Sequence, residues 1–369
     1  MGYVLHVVPD SVLNTRKALV GSTKDVRGRT EYFQTRGVEY REYVSLERSD
    51  ARLAADLRAA DLSGCGAVFI EYETYIESLR YLRDAHPHIV RIVRSFSANL
   101  LHHLDNLIGR TTMKDGPGAA AAVNEGLVRF QQDSLCAQLA DVILPITEWE
   151  AHHYWGQLTA SEHVIVAPYF LPRAYEVASP GGDPRKLCVC FMGANHQVTP
   201  LLHDLARNAI DLVNASGEAL ADWEFHLTGT IKPEGVLGAL GRFRPTGFLP
   251  SPFELLREAR VVAIISDLGM GFKTKIVEAI MAGCWVIVTH DVWARLPDAV
   301  RPWCKAIHAD SPEEFEQAIR QCEAPPPPGS PNEQLREAAF RAYDAVFARH
   351  DLGPGGRDRA VPQRGAINA

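Results

Sequence analysis

Several features that would assign the chain to a special class are missing from its sequence. No stretch approaches the roughly 20 uninterrupted apolar residues that a membrane-spanning helix needs. The first apolar run, between Met1 and Asp10, has no cationic residues before it and no small-residue cleavage site after it. This pattern favours a buried first strand over a signal peptide, so we expect no targeting segment and no membrane span.

Paired cysteines and clustered basic residues are also lacking. The seven cysteines show no paired spacing of the zinc-binding kind, and an odd number scattered through 369 residues favours reduced thiols in a cytoplasmic protein. The formal net charge is −7 and no long basic run occurs. A sequence-independent nucleic-acid binder needs clustered Lys and Arg, so we expect a small-molecule partner instead.

What the sequence does contain is an alternation of short apolar, β-branched runs with helix-length amphipathic segments. This alternation predicts parallel sheets covered by helices on both faces, and the length suits two domains. The expected strands form two series, residues 3–8, 39–44, 67–72, 89–94, 142–146 and 164–167, then residues 187–192, 224–228, 261–266, 285–289 and 306–308.

Proline and glycine divide the chain between these series. Residues 169–184 contain Pro172, Pro180, Gly181 and Gly182, which cannot continue either sheet and therefore predict a linker. We accordingly expect a first domain over residues 1–168 and a second over residues 185–330. A proline run precedes an amphipathic helix at residues 331–351, and the tail at residues 352–369 has the composition of a disordered segment.

The most informative motif is the glycine-rich turn that links an apolar strand to a helix near Gly269 and Gly271. A helix start offers free backbone N–H groups and a positive dipole end, which suit phosphate oxygens. Lys273 and Lys275 add positive charge there, and Glu278 is spaced to accept hydrogen bonds from ribose hydroxyls. The spacing fits a nucleotide, and an ordinary turn with a solvated lysine pair is the alternative.

Two commoner phosphate motifs do not fit this turn. A Walker A loop requires Gly-Lys-Ser/Thr, whereas Phe272 separates Gly271 from Lys273. The glycine pair also lacks the third glycine of the dinucleotide fingerprint. The residues alone therefore leave the kind of nucleotide site open.

The segment from Gly269 to Thr289 resembles the donor-binding segment of retaining glycosyltransferases with the GT-B fold (glycosyl transferases group 1, family 4-like). In that family a glycine-rich turn leads into a Glu-Ala-Met-Ala-Gly helix and then an apolar strand; here the helix reads Glu-Ala-Ile-Met-Ala-Gly. Similar pieces follow in matching order at residues 191–193, 227–229 and 245–248. The resemblance covers residues 3–320, is specific in the second domain, and implies two Rossmann-like doubly wound α/β domains facing a central cleft.

The resemblance further implies the chemistry and the residues that perform it. A nucleoside-diphosphate sugar, the co-substrate, would bind the second domain, with no other cofactor, and its sugar would pass with retention to an acceptor held mainly by the first domain. Lys273 would stabilise the leaving diphosphate. The implied donor-binding residues are Gly193, Asn195, Gly247, Phe248, Gly271, Phe272, Lys273, Thr274 and Glu278, and the first-domain cleft loop comprises Gly21, Ser22 and Thr23.

Two departures from the family pattern concern the catalytic groups. Met270 stands where the family commonly has a glutamate near the transferred sugar, and Phe96 stands where it often has a histidine. No catalytic acid, base or histidine is therefore assigned. No Asp-x-Asp motif is evident, so we expect no metal at the donor site.

Charged residues of the first domain are weaker candidates. Glu71 and Glu73 end a strand, where α/β crevices bind ligands, and so are candidate acceptor contacts. Lys24, Arg27 and Arg29 follow the first loop and fit either an anionic ligand or a solvated helix face.

Adjacent histidines form another weak signal. The pairs His102-His103 and His152-His153 lie on expected helices, where neighbouring side chains diverge by about 100°. A shared metal is therefore not expected at either pair, and they are interpreted as surface or partly buried histidines.

Three functions remain open from the sequence. The first is transfer of a hexose-like unit to an unknown acceptor, which could be a saccharide, a lipid-linked compound or a small molecule. The second is a nucleotide-sugar 2-epimerase on the same fold, and the third is a non-catalytic partner subunit, which Met270 and Phe96 would favour. The expected location is the cytoplasm, and peripheral association with the inner face of the membrane stays open.

Overall fold

The structure is a computed structural model that describes residues 2–13, 21–46, 49–112, 114–176, 185–191, 200–229, 240–247, 249, 252–268 and 270–352. Its strands form two parallel sheets, the first built before residue 145 and the second after residue 184. Residues 177–184 of the predicted linker (169–184) and the tail beyond residue 352 lie outside the described residues, and the domain limits stay predictions.

The first sheet has five strands in the order β2-β1-β3-β4-β5, all paired in parallel. The strands are β1 Tyr3–Pro9, β2 Tyr40–Ser45, β3 Cys65–Glu71, β4 Val90–Arg94 and β5 Val142–Leu144. Its helices are α1 Asp10–Leu13, α2 Gly21–Arg36, α3 Asp50–Ala59, α4 Ile76–Ala85, α5 Asn99–Thr112, α6 Gly116–Leu139, α7 Glu148–Glu150 and α8 Gly156–Leu158.

The second sheet has six parallel strands in the order β11-β10-β9-β6-β7-β8. The strands are β6 Arg185–Phe191, β7 Glu224–Thr228, β8 Phe243–Gly247, β9 Ala259–Ile264, β10 Trp285–Thr289 and β11 Cys304–Ile307. Its helices are α9 Pro200–Ala215, α10 Phe253–Glu258, α11 Thr274–Met281, α12 His290–Ala294 and α13 Pro312–Gln321, and α14 Pro331–Arg349 follows. All residues of β9 and β10 are buried, as strands covered on both faces must be.

The predicted fold class is confirmed, with two differences in the strands. Residues 164–167 form no strand: Val164 makes an isolated bridge to Ile143, and Pro145 opposite has no N–H to continue a ladder. The edge strand β8 was not predicted, because Pro245 within it argues against a strand; at an edge, a missing N–H is tolerated.

Helix α14 joins the second domain back to the first. Its Tyr343 and Phe347 pack their rings against Tyr32 of α2, with centroids 4.9 and 5.6 Å apart. The amide of Asn332 bonds both backbone groups of Leu171, which lies between the two sheets in the chain. The helix therefore fixes α2, and with it the first-domain side of the cleft.

Candidate functional site

The site lies where the strand order of each sheet reverses. In the second sheet β6 and β9 are neighbours, and the strands that follow them, β7 and β10, lie on opposite sides of this pair. The segment after β9 leads into α11. In the first sheet β1 and β3 form the equivalent pair, and α2 begins at Gly21 beyond β1. Ligands of open α/β sheets bind at such switch points, outside the carboxyl ends of the strands.

The two switch points touch each other through small residues. A Cβ added at Gly21 would overlap Thr274 Oγ1 at the start of α11, and one added at Gly271 would lie 2.6 Å from Ser97 Oγ. A larger residue at either position would force the facing side chain to move. The structure thus brings together the predicted first-domain loop and the predicted phosphate-binding turn.

Lys273 stands at the N-cap of α11 and is half-buried. Burial disfavours its charge and, together with the neighbouring Arg295 and Lys275 cations, lowers the pKa of Lys273 to about 8, while the Asp105 carboxylate opposes the shift. The turn is therefore locally cationic in a chain of net charge −7. It offers an anion both charge and the unpaired N–H groups of a helix start.

Arg295 is a site residue that sequence reasoning missed. It follows α12, its guanidinium lies 5.7 Å from the centre of the Trp149 ring, and its buried Nη2 has no hydrogen-bond partner among the described residues. Burial lowers its pKa, with Asp105 opposing the change. No local motif marks this arginine, because only the folding of α12 over the cleft brings it near Lys273.

Glu278, the predicted ribose ligand, is 4% exposed and forms an ion pair of 2.8 Å with Lys24 Nζ across the cleft. Lys24 belongs to α2 of the first domain and is fully buried. The solvated-face interpretation of α2 is therefore wrong for Lys24, and also for Arg29, which is 1% exposed. A ribose reaching Glu278 has to share or displace the Lys24 ammonium.

The side chains at the two positions that depart from the family pattern pack against first-domain residues. Met270 packs against the first-domain core, and the Phe96 ring lies 6.2 Å from that of Tyr72. A carboxylate nevertheless reaches this place, since Asp105 of α5 accepts a hydrogen bond of 2.8 Å from the Met270 backbone N–H. Asp105 is far away in sequence, so no spacing argument could have found it.

The charged candidates of the first domain have structural partners. Glu71 accepts hydrogen bonds from Arg29 and pairs with His6 at 2.7 Å. Burial opposes ionisation, but Arg29 and His6 more than offset it and lower the pKa of Glu71 to about 2. Glu73 is buried, and desolvation and the Asp133 carboxylate raise its pKa well above its usual value.

Some of the remaining predicted residues are described by the structure, and the others lie outside the described residues. Gly247 ends β8 with a φ of 69°, a conformation that favours glycine, and the Phe272 ring lies 6.0 Å from that of Tyr169. Thr23 is buried and donates to the Val12 carbonyl, whereas Ser22 is half-buried. Gly193, Asn195 and Phe248 lie outside the described residues. The roles assigned to all of these residues stay predictions.

Comparison with known proteins finds one family model that matches part of the chain, within the second domain. Residues 186–324 match the family described as "Glycosyl transferases group 1". No curated protein matches the chain significantly. Among the described helices, none is long and apolar enough to cross a membrane.

Solved structures share the fold over nearly the whole chain. Sucrose-phosphate synthase from Thermosynechococcus elongatus superimposes with a TM-score of 0.59 at 11% identity, covering 95% of this chain and 96% of that one. HepE from Anabaena, in complex with UDP and glucose, superimposes with a TM-score of 0.52 at 12% identity, covering 95% of this chain and 96% of that one. MnaA from S. aureus, solved with UDP, superimposes with a TM-score of 0.52 at 13% identity, covering 95% of this chain and 97% of that one. The GT-B architecture is therefore as predicted, and the match of residues 186–324 to group 1 agrees with the predicted resemblance.

Proposed function

We propose that this chain, a glycosyltransferase of the group 1 type, moves a hexose-like sugar from a nucleoside diphosphate to an acceptor held mainly by the first domain, with retention at the anomeric carbon. The observation that carries the proposal is the cationic turn at the start of α11, where half-buried Lys273 and Arg295 adjoin a helix N-terminus at a switch point. The UDP-bound structures of HepE and MnaA support a nucleotide-sugar donor.

The arrangement suits a leaving diphosphate. As the glycosidic bond breaks, negative charge accumulates on the diphosphate, and preorganised cations and N–H groups stabilise charge where it develops. Lys273, Arg295 and the start of α11 supply these groups, so we propose that donor binding needs no metal. We also propose that Asp105, which accepts the Met270 N–H, binds hydroxyls of the transferred sugar.

A panel of nucleotide sugars, incubated with and without candidate acceptors, tests the proposal. Transfer shows as acceptor-dependent release of nucleoside diphosphate, and NMR of the product reports retention or inversion. Isomerised donor without any acceptor would indicate the 2-epimerase. Donor binding without turnover, restored by another protein, would indicate the partner subunit, and no binding at all would contradict every one of these functions.

The pH profile of nucleoside-diphosphate binding should report Lys273. Since its pKa in the free protein is about 8, Lys273 is charged below this pH and neutral above it. We expect the dissociation constant to rise above pH 8, by up to about tenfold per pH unit, because the diphosphate loses a cationic partner.

The Lys273→Arg variant is the control for this profile, because arginine stays charged throughout the range. Between about pH 7 and 9.5 its dissociation constant should rise much less than that of the wild type in isothermal titration. A flat profile in the wild-type protein would show that the charge of Lys273 does not contribute to binding.

Glu278 should distinguish ribose from dideoxyribose. A charged hydrogen bond contributes roughly 1.5–3 kcal/mol, so we expect the wild-type protein to prefer a nucleoside diphosphate over its 2′,3′-dideoxy analogue by about tenfold or more. Glu278→Gln should lose most of this preference. If the variant discriminates as well as the wild type, Glu278 serves only as the buried partner of Lys24.

The cysteines support a cytoplasmic location, which we include in the proposal. All seven are free and buried, so the fold requires no oxidising compartment. Recovery of the chain in the soluble fraction, with the thiols reactive only after unfolding, is the expected result. Sedimentation with membranes would favour the peripheral location instead.

A further inference from the structure

Two histidines meet at the carboxyl edge of the second sheet, after β10 and β11, whereas the cationic turn follows β9. Strands β10 and β11 pair in register, with Thr289 opposite Ile307. His290 and His308, which directly follow these two residues, therefore also lie side by side. Their ring centroids are 4.5 Å apart. The sheet fixes this pair, although the residues are well separated in sequence.

A carboxylate completes a three-residue group, named here the His-His-Glu cluster (His290, His308 and Glu314). Glu314, in the first turn of α13, lies 2.9 Å from His308 Nδ1 through Oε1 and 3.9 Å from His290 Nε2 through Oε2. One ligand atom from each residue lies within 4.8 Å of the other two. Tetrahedral coordination with bonds of about 2.0–2.2 Å would place such atoms roughly 3.3 Å apart, so small side-chain rotations suffice.

The carboxylate is held in place by the helix cap. Ser311 Oγ accepts the Glu314 N–H at 3.3 Å, and Glu314 Oε2 accepts the His308 backbone N–H at 2.8 Å. These two hydrogen bonds fix Glu314 against His308 before any ion arrives. The cap accounts for the position of Glu314, and the register of β10 and β11 accounts for the positions of the two histidines.

The surroundings of the cluster are acidic. His308 interacts electrostatically with Asp310 and Asp267, and Asp267 in turn with Asp291. These carboxylates follow β9, β10 and β11 at one edge of the sheet, where they lower the cost of bringing a divalent cation close. Asp267 and Asp291 also act electrostatically on Arg295, so the cluster and the cationic turn share part of their surroundings.

We propose that His290, His308 and Glu314 bind one divalent transition-metal ion of the zinc class, with the fourth position open to solvent. Two imidazole nitrogens and one carboxylate oxygen are a ligand set suited to Zn²⁺, Co²⁺ or Ni²⁺ rather than to Mg²⁺ or Ca²⁺. Both histidines are exposed, so the ion enters and leaves freely. The site does not depend on the proposed transfer reaction.

Titration of the EDTA-treated full chain with Zn²⁺ alone tests the site. We expect one equivalent to bind, to raise the melting temperature, and to do so without any nucleotide. Replacement by Co²⁺ should give the visible absorption of a four-coordinate site. The seven cysteines are buried and do not compete for the ion.

The His290→Ala/His308→Ala double variant should weaken Zn²⁺ binding about 100-fold or more, and it should melt like the wild type when no metal is present, because both side chains are exposed. The matched control is His152→Ala/His153→Ala, an exposed pair whose rings each bond a carbonyl of their own helix. Absence of binding to the wild type, or equal affinity in the double variant, would overturn the proposal.

Discussion

Replacing Lys273 by alanine should lower the rate of donor cleavage by about 10²–10³-fold, the range found when one preorganised donor to a developing negative charge is removed. Lys273 is the N-cap residue of α11, so its ammonium lies at the positive end of the helix dipole. Nucleoside-diphosphate affinity should fall less than the rate, because charge on the diphosphate increases as the bond breaks.

The measurement compares steady-state release of nucleoside diphosphate with its dissociation constant from isothermal titration. Lys186→Ala is the control, since Lys186 is exposed and pairs with Asp222 and Glu323 away from the cleft. Because burial already disfavours the charge of Lys273, its removal should not destabilise the fold. A Lys273→Ala enzyme with unchanged turnover would remove this lysine from the site.

Replacing Arg29 by methionine should lower the free energy of unfolding by about 3–5 kcal/mol, the cost of leaving buried charges without their partner. Arg29 is 1% exposed and pairs with Asp25 at 2.7 Å and with Glu71 at 2.6 Å. Asp25 is also bound by Arg94, at 2.9 Å. The variant therefore leaves Glu71 with His6 alone and weakens the attachment of α2 to the sheet.

Urea unfolding of the variant and of Arg58→Met measures this effect. Arg58 pairs with Glu77 at 3.0 Å but both side chains are about half exposed, so its loss should cost less than about 1 kcal/mol. Equal destabilisation by the two substitutions would contradict the assigned role of the buried network. Since α2 also carries Lys24 to Glu278, we expect weaker nucleotide binding to accompany the loss of stability.

Local patterns in the sequence predicted most of the fold. Buried strands such as β9 and β10 are continuous apolar runs, and the glycine turn before α11 is marked by residues adjacent in sequence. The strand β8 was missed because Pro245 disfavours a strand everywhere except at an edge, and the sequence does not show which strand lies at an edge.

The partners within the site could not be predicted in the same way. Lys24 looked like part of a solvated face because two basic residues nearby suggested exposure, whereas Glu278 of the other domain neutralises its charge in the interior. Asp105 and Arg295 carry no motif and reach Lys273 only through the packing of α5 and α12. Contacts between distant segments decide these placements, and spacing along the chain does not record them.

Isothermal titration of the wild-type chain with uridine, guanosine, adenosine and thymidine diphosphates, each beside its monophosphate, is the decisive test of the cationic turn. We expect at least one diphosphate to bind at a single site, about tenfold or more tighter than its monophosphate, because Lys273, Arg295 and the start of α11 would contact the phosphates. If no nucleotide binds, or if monophosphate and diphosphate bind equally well, the cationic turn is not a diphosphate site and the proposed reaction fails with it.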